Sequence, residues 1–363
     1  MKRLFVAMAA LAAAVTLNAQ TIIEDFVPSE LNQPGQEYPM VNSQRYVRLR
    51  LYAPQAQSVV ATLGGGSGTV LTKGEDGYWT GTTARPEDEG FHYYHLIVDG
   101  GVVNDPGTGN FFGSCRWESG VEVPASDGDF YAMKNVPHGN VQQVLFWSES
   151  TQSIRVANVY TPPTYGKTKK KYPVLYLQHG WGENETSWPV QGHANLIMDN
   201  MIAAGECEPF IVVMTYGMTN DVKFGRIGEF TAKEFETVLV DELIPYIDSH
   251  FRTFTDKRHR ALAGLSMGGM ETKLITLRRT GVFGYYGLLS GGVYLPEEIN
   301  AANKAELFFM SCGSKEMPDR VEEATKAMKE AGYNAVSHVS QGTAHEFLTW
   351  RRALHAMAPL LFK

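Results

Sequence analysis

The chain has 363 residues, enough for two domains, and 44% of them are hydrophobic, which excludes wholesale disorder. Its formal charge of −7 argues against nucleic acid or an anionic membrane surface as partner.

The chain opens with "MKRLFVAMAALAAAVTLNAQ": two cations, an apolar run, then small residues ending near Ala19. This pattern predicts a secretory signal peptide over residues 1–19 and an exported protein, periplasmic or extracellular. The apolar run is short for a membrane span. Three cysteines, Cys115, Cys207 and Cys312, lie too far apart for a metal motif. They allow one disulfide at most and read better as buried thiols.

From about 40 to 125 the chain alternates apolar and polar residues. "YVRLRLYAP", "SVVATLG" and "FHYYHLIVDG" are punctuated by "GGGSG", "GEDG" and "DGG". No helical period intervenes, so residues 20–130 are expected to form a small all-β sandwich. Trp79 and Trp117 could stack on sugar there, although tryptophans of a sandwich are more commonly buried.

After residue 150 the rhythm changes. "YPVLYLQHG", "PFIVVMTYG", "HRALAGLS", "YYGLLSGG" and "ELFFMSCG" are short apolar runs ending in glycine or polar residues, with helical segments between them. "TAKEFETVLVDELIPYIDSHF" and "PDRVEEATKAMKEAG" space apolar residues three and four apart. Residues 131–363 therefore predict a mainly parallel sheet covered by helices on both faces, with "VQQVLFWS" and "SIRVANVYTPP" as an antiparallel edge.

Within that region "RALAGLSMGGMETKLITLRR" reads as strand, turn and helix, with Gly264, Ser266 and Gly268 in a G-x-S-x-G pattern. In that context the pattern is a nucleophile elbow: small residues let strand and helix approach, and the serine is held at a sharp turn. A serine hydroxyl needs a base, and the base needs an orienting acid, expected in the order Ser, acid, His. Three histidines follow Ser266. His338 lies in a strand and His355 in the last helix; His345 lies in a loop between them and is the expected base. For the acid, Glu316 and Asp319 follow the strand "ELFFMSCG". Pro318 suits a first helical position, which gives Asp319 a helix-dipole role and leaves Glu316 free to face His345. The oxyanion donors are expected at the N–H groups of Met267 and Trp181, the latter in "HGWG", where Gly180 permits the tight turn. His179 reads as a shaping residue.

"HGWGENETSW", "GLSMGG" and "GTAHEFLTWRRAL" resemble the esterase D-like α/β-hydrolases, in particular the carbohydrate esterase family one feruloyl esterases of gut bacteria. "VNDPGTGNFFGSCRWESGVEVP" and "VPHG" resemble the early-set immunoglobulin-like domain found before such esterases, related to glycogen-binding modules. The resemblance implies an α/β-hydrolase fold, hydrolysis of ferulate or acetate esters of plant cell-wall polysaccharide, and Ser266, Glu316 and His345 in the catalytic roles. The family's usual acid is aspartate, and this chain has glutamate. Acetylxylan esterase, siderophore-ester hydrolase and acyltransferase use the same scaffold, and a glycan-binding protein with an inactive hydrolase domain is the non-enzymatic alternative. No cofactor is called for, and no histidine, cysteine or acidic cluster has metal-ligand spacing. The aromatic stretch "GNFFGSCRWESG" raises one more expectation. Phe111, Phe112 or Trp117 could lean over the active-site mouth and touch the acyl group, or could instead glue the two domains together.

Overall fold

The computed structural model describes residues 21–220, 226 and 229–363; the leader segment 1–19 lies outside the described residues. Among the described residues no helix is long and apolar enough to cross a membrane.

The N-terminal region is all-β, in three small antiparallel sheets of five, four and three strands. Alternation drives it. In the strand Val47–Tyr52, Val47 and Leu49 are fully buried while Arg48 and Arg50 stay partly exposed. Val47, Leu49, Trp79, Tyr94, Leu96 and Val121 form the core of this region. Trp79 is 7% exposed and its indole N–H donates to the Ala53 carbonyl at 2.9 Å, so it is a core residue and offers no sugar platform. The three-stranded sheet ends in a hairpin, Asn110–Gly113 paired with Arg116–Val123. Its tip residues Ser114 and Cys115 have φ of 50° and 61°, as a tight two-residue hairpin turn demands.

The rest is one eight-stranded sheet flanked by helices. Its strands are β1 (Asn140–Ser148), β2 (Ser153–Thr161), β3 (Val174–Gln178), β4 (Ile211–Thr215), β5 (Arg260–Leu265), β6 (Tyr285–Leu289), β7 (Leu307–Gly313) and β8 (Ala335–Ser340). They are ordered β1-β2-β4-β3-β5-β6-β7-β8. β1 and β2 form an antiparallel edge, and the pairings from β4 to β8 are parallel. Every residue of β3, β4, β5 and β6 is buried, as expected for a parallel sheet covered on both faces. Successive residues feed opposite cores: Val174, Tyr176 and Leu262 one face, Leu175, Leu177 and Ala263 the other. The helices that matter for the site are α1 (Ala194–Ala204), α2 (Lys233–Thr237), α3 (Ile244–His250), α4 (Met267–Arg278), α5 (Pro318–Glu330) and α6 (Phe347–Met357). A π-helical turn, Val238–Leu243, joins α2 to α3.

The two regions are packed tightly together. Phe111, Phe91 and Phe347 form an edge-to-face chain across the junction, with ring centroids 4.9 and 5.7 Å apart. Arg351 on α6 is fully buried and forms a bidentate pair with Glu122 of the N-terminal region, at 2.5 and 3.1 Å. All three cysteines are free thiols. Cys312 is buried, but Cys115 and Cys207 are only half-buried, because one sits at a hairpin tip and the other in a loop after α1.

Candidate active site

Ser266 sits between β5 and α4 with φ 51° and ψ −114°, a conformation that costs a non-glycine residue roughly 1–3 kcal/mol. The surrounding structure enforces it. A Cβ placed on Gly264 would lie 2.4 Å from the backbone of Gly268, so strand and helix meet where no side chain fits. The Ser266 N–H is tied to the Leu289 carbonyl at 2.8 Å, which hooks the turn onto β6.

The loops after β7 and β8 bring two more predicted residues to this point. His345 Nε2 lies 2.8 Å from Ser266 Oγ, and His345 Nδ1 lies 2.7 Å from Glu316 Oε1. A carboxylate only accepts, so Nδ1 carries the proton and Nε2 is the free base facing the serine hydroxyl. Glu316 Oε2 accepts from the Gly313 N–H at 2.6 Å and from Ser290 Oγ at 2.8 Å. Burial alone would raise this carboxyl, but the bonds from His345, Gly313 and Ser290 outweigh it and hold Glu316 below its ordinary value. Ser290 in turn accepts from the Trp350 indole at 3.1 Å, and that ring stands edge-on to His345 at 5.1 Å. The histidine is therefore oriented from two sides while its side chain stays 48% exposed.

The other candidates lie elsewhere. Asp319 is exposed in the first turn of α5. His338 sits within β8 opposite Ser311, and His355 near the end of α6 packs at a tilt against Phe130 and approaches Glu206 at 3.6 Å.

Gly180 adjoins the nucleophile: a Cβ on it would lie 3.4 Å from Ser266 Cβ. Its N–H is taken by Glu183 Oε2 at 2.9 Å. His179 is fully enclosed, and burial pushes it down to about 4, so it is neutral. Its Nε2 accepts from the Gly217 N–H at 2.9 Å, which makes Nδ1 the donor to the Gly180 carbonyl at 2.7 Å. Met267 begins α4, so its N–H has no partner within the helix. Met267 follows Ser266 directly and Trp181 follows Gly180, the glycine that adjoins Ser266, so each next residue carries an N–H near the nucleophile in sequence. Met267 belongs to a small apolar cluster with Met218 and Phe230, against which the partly buried Trp181, Tyr216 and Cys115 pack.

The aromatic hairpin divides by face. Phe111 is 9% exposed and glues the two regions; Phe112 packs edge-on against Trp117 at 5.4 Å, and Trp117 is 54% exposed. The contact with the Trp181 loop is made at the hairpin tip, where the Cys115 N–H donates to the Gly182 carbonyl at 2.8 Å. Ser290, Trp350, Glu183 and Cys115 escaped the sequence reading. Only Ser290 had a local signal, its place at the end of the run "YYGLLSGG". Among the described residues no group of three or more His, Cys, Asp or Glu is placed to hold a metal.

Comparison with known proteins fits this geometry. The Esterase family model matches residues 148–307, a span that includes Trp181, Ser266 and Ser290. The chain is 65% identical over 347 residues to the Endo-1,4-beta-xylanase/feruloyl esterase of Xylanibacter ruminicola, a match covering 94% of this chain and 48% of that protein. The chain thus spans about half the length of this relative. A solved ferulic acid esterase is 28% identical with a TM-score of 0.52, covering 61% of this chain and 98% of the other. The enterobactin esterase of Shigella flexneri, 16% identical with a TM-score of 0.63, shares the fold over 87% of this chain and 92% of its own. The chain therefore has an α/β-hydrolase fold preceded by an all-β region, and residues 148–307 of that fold match the Esterase family model.

Proposed function

We propose that this chain is an exported feruloyl esterase that releases hydroxycinnamates from arabinoxylan through an acyl-enzyme on Ser266. The observation that carries the reaction type is the unbroken line Ser266 Oγ, His345, Glu316, at 2.8 and 2.7 Å. In this mechanism His345 Nε2 takes the serine proton as Oγ attacks the ester carbonyl. The N–H groups of Trp181 and Met267 bind the resulting oxyanion. The imidazolium, balanced by Glu316, then protonates the departing ester oxygen, which leaves as a sugar hydroxyl, and water repeats the cycle on the acyl-enzyme. Two observations support a hydroxycinnamoyl group. Trp181 and Tyr216, partly exposed and packed against the apolar cluster that contains Met267, are aromatic side chains of the kind an aromatic acid stacks on. The relative that matches 94% of this chain is described as a xylanase/feruloyl esterase.

The test is a substrate panel of methyl ferulate, feruloylated arabinoxylan, acetylated xylan and a catecholate siderophore, run with the full chain and with Ser266→Ala. Ferulate release with the highest kcat/KM, abolished in the variant, is expected. A higher kcat/KM on acetylated xylan or the siderophore would move the substrate assignment. Full activity in Ser266→Ala would remove the serine mechanism, and no turnover of any ester would favour the glycan-binding alternative.

A further inference from the structure

Glu183 is a buried carboxyl that the acyl-transfer steps leave unused. It is 6% exposed, yet it lies in the loop that presents Trp181. Its Oε2 accepts the Gly180 N–H at 2.9 Å, and its Oε1 lies 3.4 Å from the Tyr93 hydroxyl. Tyr93 belongs to the strand Gly90–Tyr94 of the N-terminal region, so this contact crosses the junction. The Tyr93 hydroxyl accepts from the Gln191 side-chain amide at 2.7 Å, and its one proton is shared between Glu183 and the Phe112 carbonyl, 3.2 Å away. A second hold acts on the same loop from outside, through the Cys115 N–H on the Gly182 carbonyl. There is no slack at that point: Gly182 has φ 74°, and a Cβ on it would lie 2.7 Å from the Cys115 nitrogen.

These bonds have a geometric result. The carbonyl of Gly180 is fixed by His179 and its N–H by Glu183, so both peptide planes around Gly180 are set. In a trans peptide the N–H points opposite to the carbonyl of the same plane. The Trp181 N–H, in the plane whose carbonyl His179 holds, is thereby aimed away from the His179 ring, and Glu183 holds the plane before it.

We propose that Glu183 is a positioning residue for the oxyanion loop: its carboxyl, in contact with Tyr93 of the N-terminal region, holds the Gly180 N–H while His179 holds the Gly180 carbonyl, and the two together fix the turn so that the Trp181 N–H meets the developing oxyanion. The proposal rests on the esterase reading above. The N-terminal β region is then part of the transition-state binding apparatus, although none of its side chains touches the reacting atoms.

The test measures kcat and KM for methyl ferulate, together with the affinity for an arylboronic acid, which mimics the tetrahedral intermediate. Loss of one oxyanion donor costs about 10²–10³ in kcat, and misaiming it costs somewhat less. Glu183→Ala is expected to lower kcat roughly 10–100-fold, with KM within about twofold and boronate affinity falling in parallel. Glu183→Gln keeps an acceptor for the Gly180 N–H and is expected to recover at least about tenfold over Glu183→Ala. Tyr93→Phe is expected to lose about threefold to tenfold in kcat, because it removes the hydroxyl that Glu183, Gln191 and the Phe112 carbonyl share. A folded Glu183→Ala with unchanged kcat, a Glu183→Gln no better than Glu183→Ala, or a loss confined to KM with boronate affinity intact would each overturn the proposal. If Glu183→Ala does not fold, Tyr93→Phe decides, and an unchanged kcat and boronate affinity there would overturn it. An active Ser266→Ala sinks the esterase reading itself; an inactive Ser266→Ala beside an unimpaired Glu183→Ala sinks only this proposal.

Discussion

Replacing Glu316 by glutamine removes one charge and changes one oxygen to an NH₂ group, and the structure dictates which way the amide turns. The Oε2 position faces two donors, the Gly313 N–H at 2.6 Å and Ser290 Oγ at 2.8 Å. The backbone N–H cannot reverse its role, so the amide oxygen must take that position. The NH₂ group is then directed at His345 Nδ1, 2.7 Å away in the native site. To avoid two facing donors the imidazole must move its proton to Nε2, where it faces Ser266 Oγ and can no longer accept. In serine proteases the same tautomer reversal, made by changing the triad aspartate to asparagine, costs about 10⁴ in kcat, equivalent to roughly 5 kcal/mol of transition-state stabilisation. A loss of that order is expected for Glu316→Gln in steady-state hydrolysis of methyl ferulate, with KM little changed and the melting transition close to wild type. Asp319→Asn is the control: its exposed place in the first turn of α5 limits its effect to helix-dipole stability, about 0.3–1 kcal/mol. Glu316→Gln within tenfold of wild type, or Asp319→Asn nearly dead, would refute the reasoning.

Further outcomes can be checked with the same preparations. His345→Ala should lose about 10⁴-fold or more in kcat while His355→Ala keeps most activity, because His355 lies beside Phe130 and Glu206 near the end of α6 and has no bond to Ser266; the reverse pattern in the ester assay would reassign the base. Burial raises Glu183 to about 7 from an ordinary 4.5, so the stability it lends is full below pH 4.5 and is lost as pH rises through 7. Glu183→Gln should therefore gain on wild type in denaturant unfolding between pH 5 and 8.5, by up to about 3 kcal/mol; parallel stability–pH curves would contradict this. Phe111→Ala should cost about 3–5 kcal/mol and lower the melting temperature, with equal kinetic effects on ferulate and acetate esters; a selective rise in KM for ferulate would give Phe111 a substrate contact instead.

What was legible in the sequence was local. Ser266 stands out because strand, glycines and helix are contiguous, and Pro318 separates Glu316 from Asp319 within four residues. His345 stands out by elimination, since the competing histidines fall within regular elements. The all-β and mixed-sheet halves follow from periods of two and of three to four. The rest depends on contacts between distant segments. Ser290 and Glu316 are 26 positions apart, and Tyr93 and Glu183 are 90 apart; no pattern within one segment encodes either pair. The hairpin "NFFGSC" shows the limit most sharply. Adjacent residues of a strand face opposite ways, so Phe111 and Phe112 have different surroundings, and the tip residue that meets the Trp181 loop is a cysteine with no aromatic signal at all.

The bidentate pair between Glu122 and Arg351 bears on how such a protein can be cut and recombined. Arg351 has no exposed surface, and it lies on the helix that follows His345 directly. A fragment beginning near residue 131 would keep the guanidinium and lose the carboxylate that neutralises it, and it would bare Phe347 and Leu348 to water. Leaving a buried charge without its partner typically costs 3–5 kcal/mol, a large share of a domain's net stability. Gene fusion, truncation and shuffling should therefore respect the chain from its first β-strand to its last helix as one heritable unit. A boundary drawn at the change of secondary-structure type would divide a molecule that has a single electrostatic interior.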